Sequence, residues 1–515
     1  MKSFISRHAE KIIGVLKGFD RIVFRGHLRP LSHVGGFLSF LWHNRVLLKD
    51  FKPFAQNTTR LLTEASLQEA ERRNRPIEYL PSSRTNKENK ARGILQENPV
   101  ESGLICVFKV IEPCFTYEVH RSRERKKLEL RRKLGKCQHF YHYYLDPSFG
   151  FMNARIQTWF PFSIQICING RHWLVHQLDR AGIKYGQEDN CFPWVRDVKH
   201  AQRLMDRFVK IAWPRRLDRI AKELNPAHPK IFHQSPMHYY WSVHQSEWAT
   251  DVMFEDGMAL AKIYPALTRH AISALSCPDV MRFLGRKVPA LYQGEVVSDY
   301  KDRPEGVRVI HRVGVNSVKA YDKEGSILRV ETTMNDPSDF KVFRQKEGDE
   351  NGPHEWRPLR KGVADIHRRA QVSDASNNRY LGALAAVDNE TSLQELFRTV
   401  GRRTALNGRP VRALKLWIDE EVAFLKAVGA GEFVVNGFRN GNIVQKLYSH
   451  TMDQKERKRR SAQMSRKLRI LRAHGVIKKV SNTYRYQVTE KGRILIAAVT
   501  VSLEANVSAL VKIAA

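Results

Sequence analysis

The fold turns on SRKLRILRAHGVIKKVSNTYRYQVTEKGR, residues 465–493. Met464, Leu468, Ile470 and Leu471 recur at three- and four-residue spacing, as the buried stripe of a helix requires, so a helix is expected over 455–474. Gly475 stops it, since glycine accepts the positive φ of a helix end. Residues 476–480 and 484–488 then read as two short strands around Ser481, Asn482 and Thr483. Lys491, Gly492 and Arg493 close this hairpin, and a last apolar helix follows. Upstream, a helix is expected over 418–428 with Val422, Ala423 and Leu425 on one side. A break at 433–437 leads into a short helix over 439–448 carrying Ile443, Val444 and Leu447.

Helix, helix, long basic helix and two-stranded wing, in that order, read as a winged helix-turn-helix. Between 455 and 479 stand eleven cations: Lys455, Arg457, Lys458, Arg459, Arg460, Arg466, Lys467, Arg469, Arg472, Lys478 and Lys479. Glu456 is the one acid among them. A recognition helix lies in a groove walled by phosphates, where such cations release counterions and supply affinity. Arg466, Lys467 and Arg469 fall beside the apolar stripe and are expected to point outward. Arg439 opens the preceding helix, and Tyr484, Arg485 and Tyr486 sit on the wing. The plainer alternative is a solvated basic helix packed on its own domain. The stretch 465–493 resembles the recognition helix and wing of MarR-type winged-helix regulators. That resemblance covers about the last hundred residues and implies binding to nucleic acid, by analogy DNA.

The 515 residues carry 87 Lys or Arg against 53 Asp or Glu, a formal net charge of +34. An excess of that size selects polyanionic partners, and its spread along the chain implies more than one surface on nucleic acid. The six cysteines (106, 114, 137, 167, 191 and 277) show no C-x-x-C pair and no zinc spacing, so reduced thiols in a cytoplasmic protein are expected. No apolar run is long enough to span a bilayer and the N-terminus lacks a signal-peptide pattern, so no membrane partner is expected.

The expected class is α+β and multi-domain: a mixed helical and antiparallel-sheet body ahead of the winged helix-turn-helix. Its parts read as a mostly helical region (1–95), an α+β region with an aromatic sheet and helices (96–290), a hairpin-rich region with helices (291–408) and the winged domain (409–515). Asp20, in a strand-like run, resembles the first acid of a ribonuclease-H-like nuclease strand; otherwise it is a strand-edge acid paired with Arg21 or Arg25. Strands are expected at 104–108 and 115–119. The basic segment after them, with Arg121, Arg123, Lys126, Lys127, Arg131 and Arg132, reads as a disordered or helical arm on phosphate, or as a solvated excursion. The aromatics of 139–160 suit either base stacking or a core. His172 and His176 find no third ligand at a sensible spacing. Residues 196–275 read as helical, which places Glu247 and Asp251 on one helix face, where the pair is a candidate for Mg or Mn.

Residues 307–313, 317–323 and 327–332 read as strands, with Lys319, Tyr321 and Lys323 on one face by alternation. The hairpin NSVKAYDKEGSILRVETTMN, residues 316–335, resembles a Y-[DN]-K and L/W-R-x-E pattern of rolling-circle replication initiators. The resemblance implies Tyr321 as nucleophile, Lys323 and Arg329 on phosphate charge, and Glu331 holding a metal or orienting water. The His-hydrophobic-His motif of the common nickases is absent. Two functions follow. One is a nucleic-acid-binding protein, with DNA favoured over structured RNA, belonging to a mobile element or its regulation. The other is a DNA nickase, recombinase or replication initiator using Tyr321 or the carboxylate pair. Oligomeric state stays open, a homodimer included.

Overall fold

The structure is a computed structural model that describes residues 1–504 apart from 83, 274, 276, 286–294, 302–307, 347, 350, 386–392, 431–432, 434–436, 450 and 481–482. Parts of three sequence readings lie outside the described residues: 434–436 of the break, 481–482 of the expected wing turn and 307 of one strand. The class is mixed α+β, as the sequence implied. The chain divides into two compact units, one of residues 10–260 and 302–377, the other of 1–9, 261–301 and 378–515. Among the described residues, no helix is long and apolar enough to cross a membrane.

The strands in chain order begin with β1 (Ile12–Leu28), β2 (Ile77–Leu80), β3 (Gly103–Ser122), β4 (Lys127–Asp146), β5 (Gly150–Gln157) and β6 (Ile164–Asn169). Then come β7 (Tyr185–Glu188), β8 (Cys191–Val195), β9 (Tyr239–Phe254), β10 (Val296–Lys301), β11 (Arg308–Val313), β12 (Asn316–Lys323) and β13 (Ile327–Met334). In the larger unit they form one sheet in the order β11-β12-β13-β9-β1-β6-β5-β4-β3-β2. Each neighbouring pair is antiparallel except β2 with β3. β1 lies in the interior of this sheet, and Phe19, Ile22 and Phe24 are fully buried there. Helices Val34–His43, Phe51–Arg72, Gly170–Arg180 and Trp213–Leu224 add Phe37, Leu62, Leu174 and Leu217 to the same core. A smaller cluster of Ala91, Cys106, Phe108 and Tyr143 seats the helix Lys87–Glu97 on β3 and β4.

Three local expectations change. The run around Glu247 and Asp251 is a strand, β9, not a helix. Its β-branched and aromatic side chains are buried between β1 and β13, and tertiary pairing overrides local helix propensity. The two strands expected at 104–108 and 115–119 are one, β3. Pro113 is tolerated inside it because β2 pairs only with residues 107–110, which leaves the outer side of β3 open there. The basic segment is neither helical nor disordered: it is the distal end of a β3–β4 hairpin, whose ladder runs out to Ser122 and Lys127.

In the smaller unit, helices occupy Asp419–Val428, Asn440–Leu447 and Gln454–Ala473. Strands Ile477–Lys479 and Tyr486–Val488 pair antiparallel, and the helix Glu490–Glu504 follows. Their core joins Phe424, Leu425, Phe438, Ile443, Met464, Leu468, Leu471, Ile477, Val488 and Leu495. Gly475 takes φ +71, and Gly437, at φ +63, is so close to the carbonyl of Tyr486 that a Cβ would sit 2.1 Å from the oxygen.

Candidate carboxylate centre and basic surfaces

The functional side chains of the larger unit converge where β1, β9, β13 and β12 run side by side. β1 carries a bulge between Phe19 and Arg21, opposite Trp248 and Glu247, and Asp20 is the extra residue. A bulge of this kind re-aims a side chain. Ligand oxygens of Asp20, Glu247 and Glu331 all lie within 4.8 Å of one another. Asp20 and Glu331 are buried, and Glu247 stays partly open.

Each acid has its own supports. Asn190, in the β7–β8 turn, donates from Nδ2 to both oxygens of Asp20 at 2.8 and 2.7 Å. Asn169 caps the helix Gly170–Arg180 through its Oδ1 and donates to Asp20 at 3.4 Å. Glu331 accepts from Tyr321 at 2.9 Å and pairs with Lys319 at 2.6 Å. These contacts follow from register: Lys319 faces Glu331, Tyr321 faces Arg329, and Arg329 faces Asp251. Gln245 donates to Glu247 at 3.3 Å.

Asp251 does not join the triad. Four residues along a strand separate it from Glu247 by about 13 Å of rise, so the two share a face without sharing an ion. Arg329 holds it with Nε at 2.6 Å and Nη2 at 2.9 Å, and Arg171 holds it at 2.9 Å. Arg329 also donates to Asp20 at 3.1 Å and to the Asn190 carbonyl at 2.8 Å. Fully buried and so committed, Arg329 braces the acids and cannot reach a substrate phosphate, the role the hairpin resemblance implied. Lys323 pairs with Asp189 at 3.0 Å.

The electrostatics are those of crowded acids. Burial pushes Asp20 up against the pull of Arg329. Burial and then Glu331 raise Glu247 to about 7. Asp251 is drawn below the usual range, because Arg329 and Arg171 outweigh the burial that would raise it. Burial and then Glu331 put Tyr321 well above the usual phenol range, which makes its oxygen a poor nucleophile at neutral pH. Among the described residues, buried polar atoms beside the centre lack hydrogen-bond partners: Oδ1 of Asn190, and Nε with Nη1 of Arg171.

Of the residues singled out in the sequence, the structure brings Glu247, Glu331 and Tyr321 together. Asp20, which the sequence offers either as a nuclease-strand acid or as a strand-edge acid paired with Arg21 or Arg25, completes the triad with Arg329 and Asn190 as its partners, and Asn190 and Arg171 carried no sequence signal. Alternation had already set Lys319 beside Tyr321.

The basic residues singled out in the sequence mostly lie open. Lys455, Arg457, Lys458, Arg459, Arg466, Arg469, Lys478, Lys479, Tyr484 and Arg439 are exposed, while Arg472, Arg485 and Tyr486 are half-buried. Lys467 departs from expectation: it turns back to pair with Glu420 at 2.6 Å and lies over the Phe424 ring, its side chain 12% exposed. Arg460 is likewise tied, to Glu456 at 2.8 Å and to the Ser449 carbonyl. Arg409, Ser465, Arg469, Arg472 and Tyr486 line an open cleft beside the basic helix. Among the described residues no carboxylate pairs with these three arginines. On the β3–β4 hairpin, Arg121, Arg123, Lys126, Lys127, Arg131 and Arg132 are all exposed, with Arg131 on Glu118 at 2.7 Å and Arg132 over Phe115.

No family model matches this sequence, and no curated protein or solved structure matches it either.

Proposed function

We propose that this chain performs divalent-metal-assisted phosphodiester chemistry on nucleic acid, with DNA as the favoured substrate. The observation that carries the reading is the convergence of Asp20, Glu247 and Glu331 from three strands of one sheet. Three carboxylates this close must share protons or a cation, and hard oxygen ligands suit Mg²⁺ or Mn²⁺. The buried Oδ1 of Asn190 and the Nε and Nη1 of Arg171, without partners among the described residues, support a centre built to take something more. A divalent ion held there supplies Lewis-acid polarisation of a phosphoryl oxygen and a more acidic bound water. The protein's own part is to orient the acids through Asn190, Asn169, Tyr321 and Lys319, and to keep Asp20 and Glu331 from solvent.

The net charge of +34 supports the polyanion. The basic helix Gln454–Ala473 and its strand pair support docking in the manner of a winged helix, as the resemblance to MarR-type regulators implies. Tyr321 then serves as a hydrogen-bond donor that positions Glu331, in place of the covalent role that the replication-initiator resemblance implies.

The test is a denaturing gel of labelled single- and double-stranded DNA and of RNA incubated with the chain and Mg²⁺ or Mn²⁺. Cutting that stops in Asp20→Asn and in Glu331→Gln, and survives in Tyr321→Phe, is the expected result. A covalent adduct that disappears in Tyr321→Phe would replace this reading with the tyrosine one. Binding without cutting on every substrate and metal would leave a binding protein.

A further inference from the structure

We propose that Cys114, Cys137 and His139 form a zinc-class metal site at the root of the β3–β4 hairpin. In the ladder Cys114 faces Gly135 and Cys137 faces Glu112, so the cysteines are diagonal cross-strand neighbours. Their sulfurs stand 3.1 Å apart, and a ring nitrogen of His139 completes a set whose ligand atoms all lie within 4.8 Å of one another. Sequence spacing hides this site, because the ligands meet only through strand pairing.

His139 carries the argument. It is 0% exposed. Its Nδ1 lies 3.1 Å from the Cys137 carbonyl, an arrangement that keeps the proton on Nδ1 and leaves a lone pair on Nε2. Nε2 is buried with no hydrogen-bond partner among the described residues. Leaving such an acceptor unsatisfied is unfavourable, and a metal ion satisfies it. A disulfide leaves this imidazole unanswered, because it uses no ring nitrogen. Tetrahedral zinc, with Zn–S near 2.3 Å, needs sulfurs about 3.8 Å apart, so they part by roughly 0.7 Å as the ion displaces the two thiol protons. Three protein ligands leave the fourth position to water.

The placement gives the site a purpose. β4 pairs with β5 only from His139 onward, so toward the tip it is laddered to β3 alone. Two-stranded ribbons hold their shape poorly in water. A metal at the last three-stranded level acts with Tyr117 and Leu130, both buried in the main core, to fix the direction in which Arg121, Arg123, Lys126 and Lys127 are presented.

The experiment is metal analysis of the full-length chain purified with reductant and no chelator, followed by Co²⁺ titration of the metal-stripped protein. Expected are about one zinc per chain and, with Co²⁺, thiolate-to-cobalt charge-transfer absorption with the intense visible bands of a tetrahedral site. Cys114→Ser and His139→Asn should each weaken Co²⁺ affinity roughly tenfold or more, and Cys277→Ser should not. Where a variant fails to fold, the wild-type cobalt spectrum decides alone, because the carboxylate centre offers no thiolate. Co²⁺ titration of reduced protein without charge-transfer absorption overturns the proposal. So does a Cys114–Cys137 disulfide that persists when zinc is supplied.

Discussion

Replacing Glu247 with Gln should change how stability depends on pH, by an amount the site itself sets. Glu247 titrates at about 7 against an ordinary 4.5, chiefly through burial and then through Glu331. That separation, at about 1.36 kcal/mol per pH unit, is reduced by the solvent still reaching the side chain to about 2–3 kcal/mol. The sign follows from the direction. A carboxyl whose folded value is raised contributes stability that is full below pH 4.5 and is lost as pH rises through 7. With chelator present, the wild type and Glu247→Gln should be about equally stable near pH 5. By pH 8 the variant should be ahead by about 2–3 kcal/mol, because Gln cannot ionise. The assay is urea unfolding at a series of pH values, read by pulsed hydrogen exchange on peptides spanning Tyr239–Phe254 so that the larger unit is followed by itself. A difference that stays flat from pH 5 to 8, or a wild type that gains on the variant, would refute the argument. Mn²⁺ should reverse the order at pH 8, since only the wild type offers the third carboxylate.

Four further outcomes are expected. Mn²⁺ should raise the Tm of the larger unit more at pH 8 than at pH 6, because it must displace the Glu247 proton; in Asp20→Asn the rise should vanish by differential scanning fluorimetry. Asp251→Asn should cost about 3–5 kcal/mol in urea unfolding, since it leaves the buried Arg171 and Arg329 poorly compensated, whereas Tyr321→Phe, which loses one hydrogen bond, should cost about 1–2 kcal/mol. Arg469→Ala with Arg472→Ala should weaken DNA binding on every sequence and lower the slope of log K against log salt by about 2, by fluorescence anisotropy. Lys467→Ala should leave that slope nearly unchanged, because its ammonium is already spent on Glu420.

The periodic helices and the short strand pair of the smaller unit were legible because their signals are local. Met464, Leu468 and Leu471 repeat at helical spacing, and Gly475 sits at the position whose φ is +71. β9 was misread for the complementary reason. Its neighbours β1 and β13 lie about 200 residues upstream and 80 downstream in sequence, and burial between them decides its conformation. The same distance kept Asp20 apart from Glu331: nothing near either residue records that a bulge at Phe19 and Arg21 will turn one toward the other.

That separation also bears on what the centre is for. A sheet needs no ionised acids in its interior, and burying three together is unfavourable unless each is answered. Here the answers are unequal. Asp251 has two arginines, Asp20 has Arg329 and Asn190, and Glu331 has Lys319 and Tyr321, but among the described residues Glu247 receives a hydrogen bond only from the Gln245 amide. The least compensated acid is thus the one most open to solvent. A framework built for stability alone would pair that acid or replace it with an apolar residue, as buried ion pairs tolerate well. Leaving it at the open edge of the triad puts the unmet negative charge where a cation arrives, and where a phosphate bound to that cation would lie.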